Sequence, residues 1–111
     1  MKVDRQRVGT VDVLSPIGAL ADADADGFAG VLRSRLDAVN PRLVVDMHEV
    51  PYMDSIALEK FLDVAEDLQS RGAHLKLCAA SPTCREILEL TGLASSFQFF
   101  DSIEDAVRSF L

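Results

Sequence analysis

Apolar positions along the chain change their period several times, and each change marks an element. From Val3 to Gly9 and from Thr10 to Ile17 they alternate, with Val11 and Val13 flanking Asp12, as strands with one buried face do. The Gly9-Thr10 step between them suits a tight two-residue connection, so the spacing predicts an N-terminal antiparallel hairpin that ends at Pro16-Ile17-Gly18. The period then lengthens. Ala21-Asp22-Ala23-Asp24-Ala25-Asp26 sets three carboxylates where a helix start favours negative charge, and Phe28, Val31, Leu32, Leu36 and Val39 follow at helical spacing until Asn40-Pro41.

Arg42-Leu43-Val44-Val45-Asp46-Met47 is a short β-branched run of the kind buried on both faces, which belongs at a sheet's centre. After the loop Glu49-Val50-Pro51-Tyr52-Met53, a helix from Asp54 to Gln69 turns Leu58, Phe61, Leu62, Ala65 and Leu68 inward and Glu59, Asp63, Glu66 and Asp67 outward. Ser70-Arg71-Gly72 closes it. Ala73 to Ala79 reads as a second buried strand, and Ser81-Pro82 opens a helix as N-cap and first-turn proline, with Ile87 and Leu88 inward and Thr91-Gly92-Leu93 at its end. Phe97 to Phe100 is a short strand. Asp101-Ser102-Ile103-Glu104 then starts a C-terminal helix whose apolar stripe is Ile103, Ala106, Val107 and Phe110.

The order is ββαβαβαβα, an α/β chain expected to form a single domain over 1–111 with a mostly parallel sheet and right-handed crossovers. Sites in such sheets gather where strands end and helices begin, which directs attention to the loop after Asp46.

Composition narrows the function. With 11 Lys+Arg against 18 Asp+Glu the formal net charge is −7, and scattered Lys2, Lys60 and Lys76 do not make the basic patch that nucleic acid or an anionic membrane requires. No apolar run approaches the roughly 20 residues of a membrane span, and Met1-Lys2-Val3-Asp4-Arg5 leads into no secretory h-region. Cys78 and Cys84 therefore read as reduced thiols of a cytoplasmic protein.

The stretch from Val50 to Leu58 is the most informative. Asp54 is a good N-cap, which makes Ser55 the first helical residue with its hydroxyl near solvent. A phosphate there meets the positive end of the helix dipole, so the fold tolerates it while the surface gains about −1.5 to −2 charges. Glu59, one turn further on, adds to an acidic face from which a docked partner is repelled once Ser55 is modified. The same two residues also serve simply as a helix cap.

Several stretches together resemble the STAS domain, the family of bacterial anti-sigma factor antagonists. They are Pro16-Ile17-Gly18-Ala19-Leu20, Leu43-Val44-Val45-Asp46-Met47 followed by Tyr52-Met53-Asp54-Ser55, Gly72-Ala73-His74-Leu75-Lys76-Leu77 into Ser81-Pro82, and Leu90-Thr91-Gly92-Leu93 with Phe97. The resemblance covers nearly the whole chain. It implies an open mixed sheet with helices chiefly on one face, and a non-enzymatic partner switch. Such domains bind an anti-sigma factor that is also a serine kinase and release it when phosphorylated at the serine after the aspartate, here Ser55 after Asp54; a serine phosphatase is a further partner. The partner face implied comprises Asp54, Ser55, Ile56, Glu59, Lys60 and Asp63, beside Glu66, with Lys60 and His48 at its rim. The usual motif is Asp-Ser-Ser-Gly or Asp-Ser-Thr-Gly, whereas Asp54-Ser55-Ile56-Ala57 lacks the second hydroxyl and adds a Cβ. That departure favours the family's other role, an unphosphorylated subunit of a lipid transporter or a signalling scaffold.

Other chemistry finds little support. His48, His74, Cys78 and Cys84 show no paired ligand spacing, with His74 and Cys78 four apart on one strand, so no metal is expected. Asp22, Asp24 and Asp26 lack the closing glutamate of a calcium loop, since Arg33 stands at the twelfth position. Neither a phosphate loop nor a nucleophile elbow occurs, and no cofactor or enzymatic activity is expected.

Overall fold

Residues 1–111 are described by a computed structural model, in which the alternating N-terminal stretches pair as the expected hairpin. Strand β1 (Lys2–Val8) lies antiparallel to β2 (Val11–Ile17), with Val8 opposite Val11. Gly9 makes the turn at φ 61°, a left-handed value that glycine adopts without strain. Next come α1 (Asp22–Arg35), β3 (Leu43–Asp46), α2 (Ser55–Ser70), β4 (Leu75–Cys78), α3 (Pro82–Leu90), a 3₁₀ turn (Ala94–Ser96), β5 (Phe97–Phe100) and α4 (Ile103–Arg108). The sheet order is β1-β2-β3-β4-β5, parallel from β2 onward, with the fully buried β3 at its centre.

Alternation within the strands divides the core into two layers. Leu14, Val45, Leu75 and Leu77 face the larger layer, where α1, α2 and α3 bring Phe28, Leu32, Phe61, Leu68 and Leu88. Phe28, Phe61 and Phe97 form a chain of rings with centroids 6.0 and 6.4 Å apart, each contact contributing about 0.5–1.5 kcal/mol beyond area burial. Val11, Val13, Val44 and Cys78 face the opposite side, where Ala106 of α4 closes a smaller layer. Three of the four helices thus cover one face. No helix is long and apolar enough to cross a membrane.

Four details differ from the sequence reading. Helix α1 stops at Arg35, and Val39, expected on its inner stripe, is 91% exposed. The stripe is already complete at Leu36, after which the chain must reverse to bring Arg42 beside Asp12; Asn40, at φ 53°, makes part of that reversal. Asp67 is no free member of an acidic face. It is half-buried between α1 and α2, with Oδ2 3.1 Å from Arg33 Nη1 and Oδ1 3.1 Å from Arg71 Nε. Leu62 is only half-buried, and Val64 takes a place on the inner face of α2 instead. His74 precedes β4 and is exposed, whereas Cys78 at the strand's far end is buried, so the two do not share a strand.

Candidate functional site

The parallel strands β3 and β4 end at the same edge of the sheet, and the loop between β3 and α2 crosses that edge. It is anchored at several points. Gly18 N–H donates to Glu49 O at 2.9 Å, Leu20 N–H to Tyr52 O at 3.1 Å, and Asp54 N–H to Leu20 O at 3.0 Å. Buried Met53 and Leu20 complete an isolated parallel bridge. The approach to α2 is therefore tied to the approach to α1, and both helices begin side by side.

Asp54 joins the two starts. One carboxylate oxygen accepts the Ala57 N–H at 2.9 Å, the N-cap bond of α2, and the other accepts the Asp22 N–H at 2.8 Å. Ala21, the N-cap of α1, supplies no side-chain bond, so Asp54 caps a helix 32 residues away as well as its own. These backbone donors, Ala57 first and Asp22 second, hold the Asp54 carboxyl below its ordinary pKa. Local sequence spacing carries no signal for the second bond.

Ser55 is the first residue of α2, and its side chain is exposed. Glu59 and Asp63, one and two turns on, are exposed as well, as is Glu66, so a serine and three carboxylates lie along one stripe. Lys60 points elsewhere: half-buried, its Nζ lies 4.0 Å from Asp26 of α1. Ile56 is half-buried and packs on the main core, and Ala57 is 1% exposed. The Cβ that distinguishes this motif from one with glycine therefore faces the interior. The loop before α2 presents Tyr52 at 49% exposure, a surface aromatic the sequence reading did not single out as a contact residue.

A second polar group lies below the loop. Buried Asp46, the last residue of β3, accepts from Ser15 Oγ at 3.1 Å and from the His48 backbone N–H at 3.2 Å, and its Oδ2 is 2.7 Å from His48 Nδ1. The Cys78 thiol is 3.8 Å from the other oxygen. A buried carboxylate needs such partners, and together they fix how the loop leaves the strand. The hydrogen bond to Asp46, and then its charge, raise the pKa of His48 above the ordinary 6.5. Burial pushes the Cys78 thiol up to about 12, with the neighbouring carboxylate acting in the same direction. Such a thiol is protonated and inert at neutral pH. The polar end of an otherwise apolar run was the one sequence signal for this cluster.

Comparison with known proteins sets this geometry in context. The family model for the STAS domain matches residues 2–106. A Bordetella bronchiseptica protein, provisionally named anti-sigma factor antagonist BtrV, is 28% identical over 110 residues, covering 99% of this chain and 95% of its own. A Thermotoga maritima structure, provisionally assigned as an anti-sigma factor antagonist, superposes with a TM-score of 0.87 at 21% identity, over 96% of this chain and 92% of that one. The Bacillus cell-fate determinant SpoIIAA in its phosphorylated form superposes with a TM-score of 0.74 at 16% identity, over 99% of this chain and 100% of that one.

Proposed function

The chain belongs to the STAS domain family, and from that membership we propose that it is an anti-sigma factor antagonist, a cytoplasmic binding module that holds an anti-sigma factor with serine kinase activity. Phosphorylation of Ser55 releases the partner, and a serine phosphatase restores binding. The observation that carries this reading is an exposed serine at the first position of α2, directly after an aspartate that fixes the helix start.

The physical case has two parts. A phosphate on Ser55 stays in solvent, next to the positive end of a 16-residue helix, so the domain need not rearrange to accept it. On the outside it joins Glu59, Asp63 and Glu66, where about two more negative charges oppose any partner surface that packed against a neutral hydroxyl. Exposed Tyr52, three residues before Ser55 in the same loop, offers an aromatic contact to such a partner. Asp54 positions the serine and Glu59 and Asp63 carry the face along α2, while half-buried Ile56, packed on the core, and Lys60, turned toward Asp26, only border it. The solved SpoIIAA relative is described in a phosphorylated form, which supports phosphate as the switch.

An unphosphorylated transporter or scaffold subunit is the competing role. The burial of Ala57 favours the switch, since the extra methyl is packed inside the domain and not held out to a kinase.

The test is to titrate wild type, Ser55→Ala and Ser55→Asp against the organism's anti-sigma factor kinase by calorimetry. The alanine variant should bind like wild type and the aspartate variant at least about tenfold more weakly. Equal affinity for all three would rule the switch out.

A further inference from the structure

The edge of the sheet opposite Ser55, where β3 and β4 begin, carries a cavity of about 330 Å³. Arg42, Arg71, His74, Lys76, Ser109 and Phe110 contribute to its lining, and no Asp or Glu does. For a chain with 18 acidic residues and 11 Lys+Arg, this reverses the overall charge balance.

Lys76 is the unusual member. Only 7% exposed, it sits in β4 with Nζ 2.9 Å from Gln98 Oε1 and 2.8 Å from Ser109 Oγ. The Phe110 and Phe100 ring centroids are 4.3 and 5.3 Å away. Every one of these contacts is neutral. Buried ammonium groups ordinarily meet a carboxylate, because aromatic faces and neutral acceptors offset only part of the desolvation cost. That cost appears as a pKa lowered by burial.

Arg42 is likewise without a carboxylate partner. Its Nη1 donates to Thr10 Oγ1 at 3.0 Å, and its guanidinium lies 5.8 Å from the Phe110 centroid. Arg71 differs, because Asp67 at 3.1 Å already balances its charge and its Nη1 donates to Leu36 O at 2.6 Å. Exposed His74 stands at the rim. The cavity therefore holds two uncompensated cations on a rigid frame of two strands and the end of α4.

We propose that this cavity binds a small oxyanion of the phosphate or phosphate-monoester class, with Lys76 and Arg42 as its counter-charges. The guanidinium offers paired N–H donors to two oxygens of such a group, and Lys76 acts as a point charge beneath it. An oxyanion would supply the charge partner that the buried ammonium lacks. The site stands apart from Ser55 and does not depend on the switch.

The test is an NMR titration of the uniformly ¹⁵N-labelled full chain with inorganic phosphate at constant ionic strength, repeated with glycerol phosphate. Saturable shifts should be confined to amides near residues 40–42, 72–76 and 109–110. Tighter binding of glycerol phosphate identifies a monoester site, and equal binding a site for the phosphate group itself. Arg42→Gln and Lys76→Met should each weaken binding by about tenfold or more, as expected for loss of a charged hydrogen bond. Lys76→Met removes an unpaired buried charge, so folding should survive it, and the surface variant Arg42→Gln gives a second reading in any case. Shifts that stay linear, that appear equally around Arg5 or Arg85, or that persist unchanged in both variants would overturn the assignment.

Discussion

Replacing Ala57 with the glycine usual at this position in the family separates a structural role from a recognition role. Ala57 is the third residue of α2; its N–H bonds to Asp54, and its methyl is 1% exposed. Glycine costs about 0.5–1 kcal/mol in backbone entropy within a helix, and losing one buried methyl costs about 0.8 kcal/mol more. The two together give about 1.5 kcal/mol. For a domain of this size that lowers Tm by about 5–10 °C. Urea and thermal unfolding followed by circular dichroism measure the loss, and calorimetry measures partner affinity on the same samples. The account expects lower stability with unchanged affinity below the transition, because the methyl faces the core. An unchanged Tm with altered partner affinity would show that the methyl meets the partner and would refute the inward placement.

Further expectations concern the ionisable groups around the loop. The raised pKa of His48 means its protonated form is favoured by folding, so its small contribution to stability is complete below pH 6.5 and disappears as pH rises through the higher folded value. Proton NMR should place its midpoint above 6.5; a midpoint at or below that value contradicts the Asp46 contact. Asp54 carries the opposite sign, its contribution present above 3.8 and lost as pH falls through the lower folded value. In Asp54→Ala, hydrogen exchange should accelerate at both Asp22 and Ala57, leaving Cys84, capped by Ser81, unchanged; acceleration at Ala57 alone would remove the bridge between helices. Cys78, with its thiol pushed up to about 12, should react with a thiol-specific disulfide reagent at pH 8 only after unfolding. Rapid reaction of the folded protein would contradict its burial.

The elements that could be read from the chain are those whose signal is local. Alternation in β2, the apolar run of β3 and the starts of α3 and α4 all act within a few residues: Ser81 Oγ accepts from Cys84 N–H as expected, while α4 is capped by Ser102, whose Oγ accepts from Asp105 N–H, one residue later than the Asp101–Glu104 spacing suggests. The position of Ser55 was legible for the same reason, because an aspartate before a helical period marks the start of a helix. Long-range partners were not legible. The Asp54 bond to Asp22 spans 32 residues, the Ser15 bond to Asp46 spans 31, and the Asp67 pairing with Arg33 spans 34. Each depends on how neighbouring elements pack. Val39 failed differently: its spacing fitted a helix that had to end earlier so that the chain could enter β3 beside Asp12.

The central claim is that the Ser55 hydroxyl serves as a phosphate acceptor whose modification leaves the fold intact. Incubating the protein with ATP and the organism's anti-sigma factor kinase, then locating phosphate by tandem mass spectrometry, tests it most directly. The account predicts one phosphate, on Ser55, and none in Ser55→Ala. Phosphate on another serine, or a chain left unmodified by a kinase that binds it, would contradict the account.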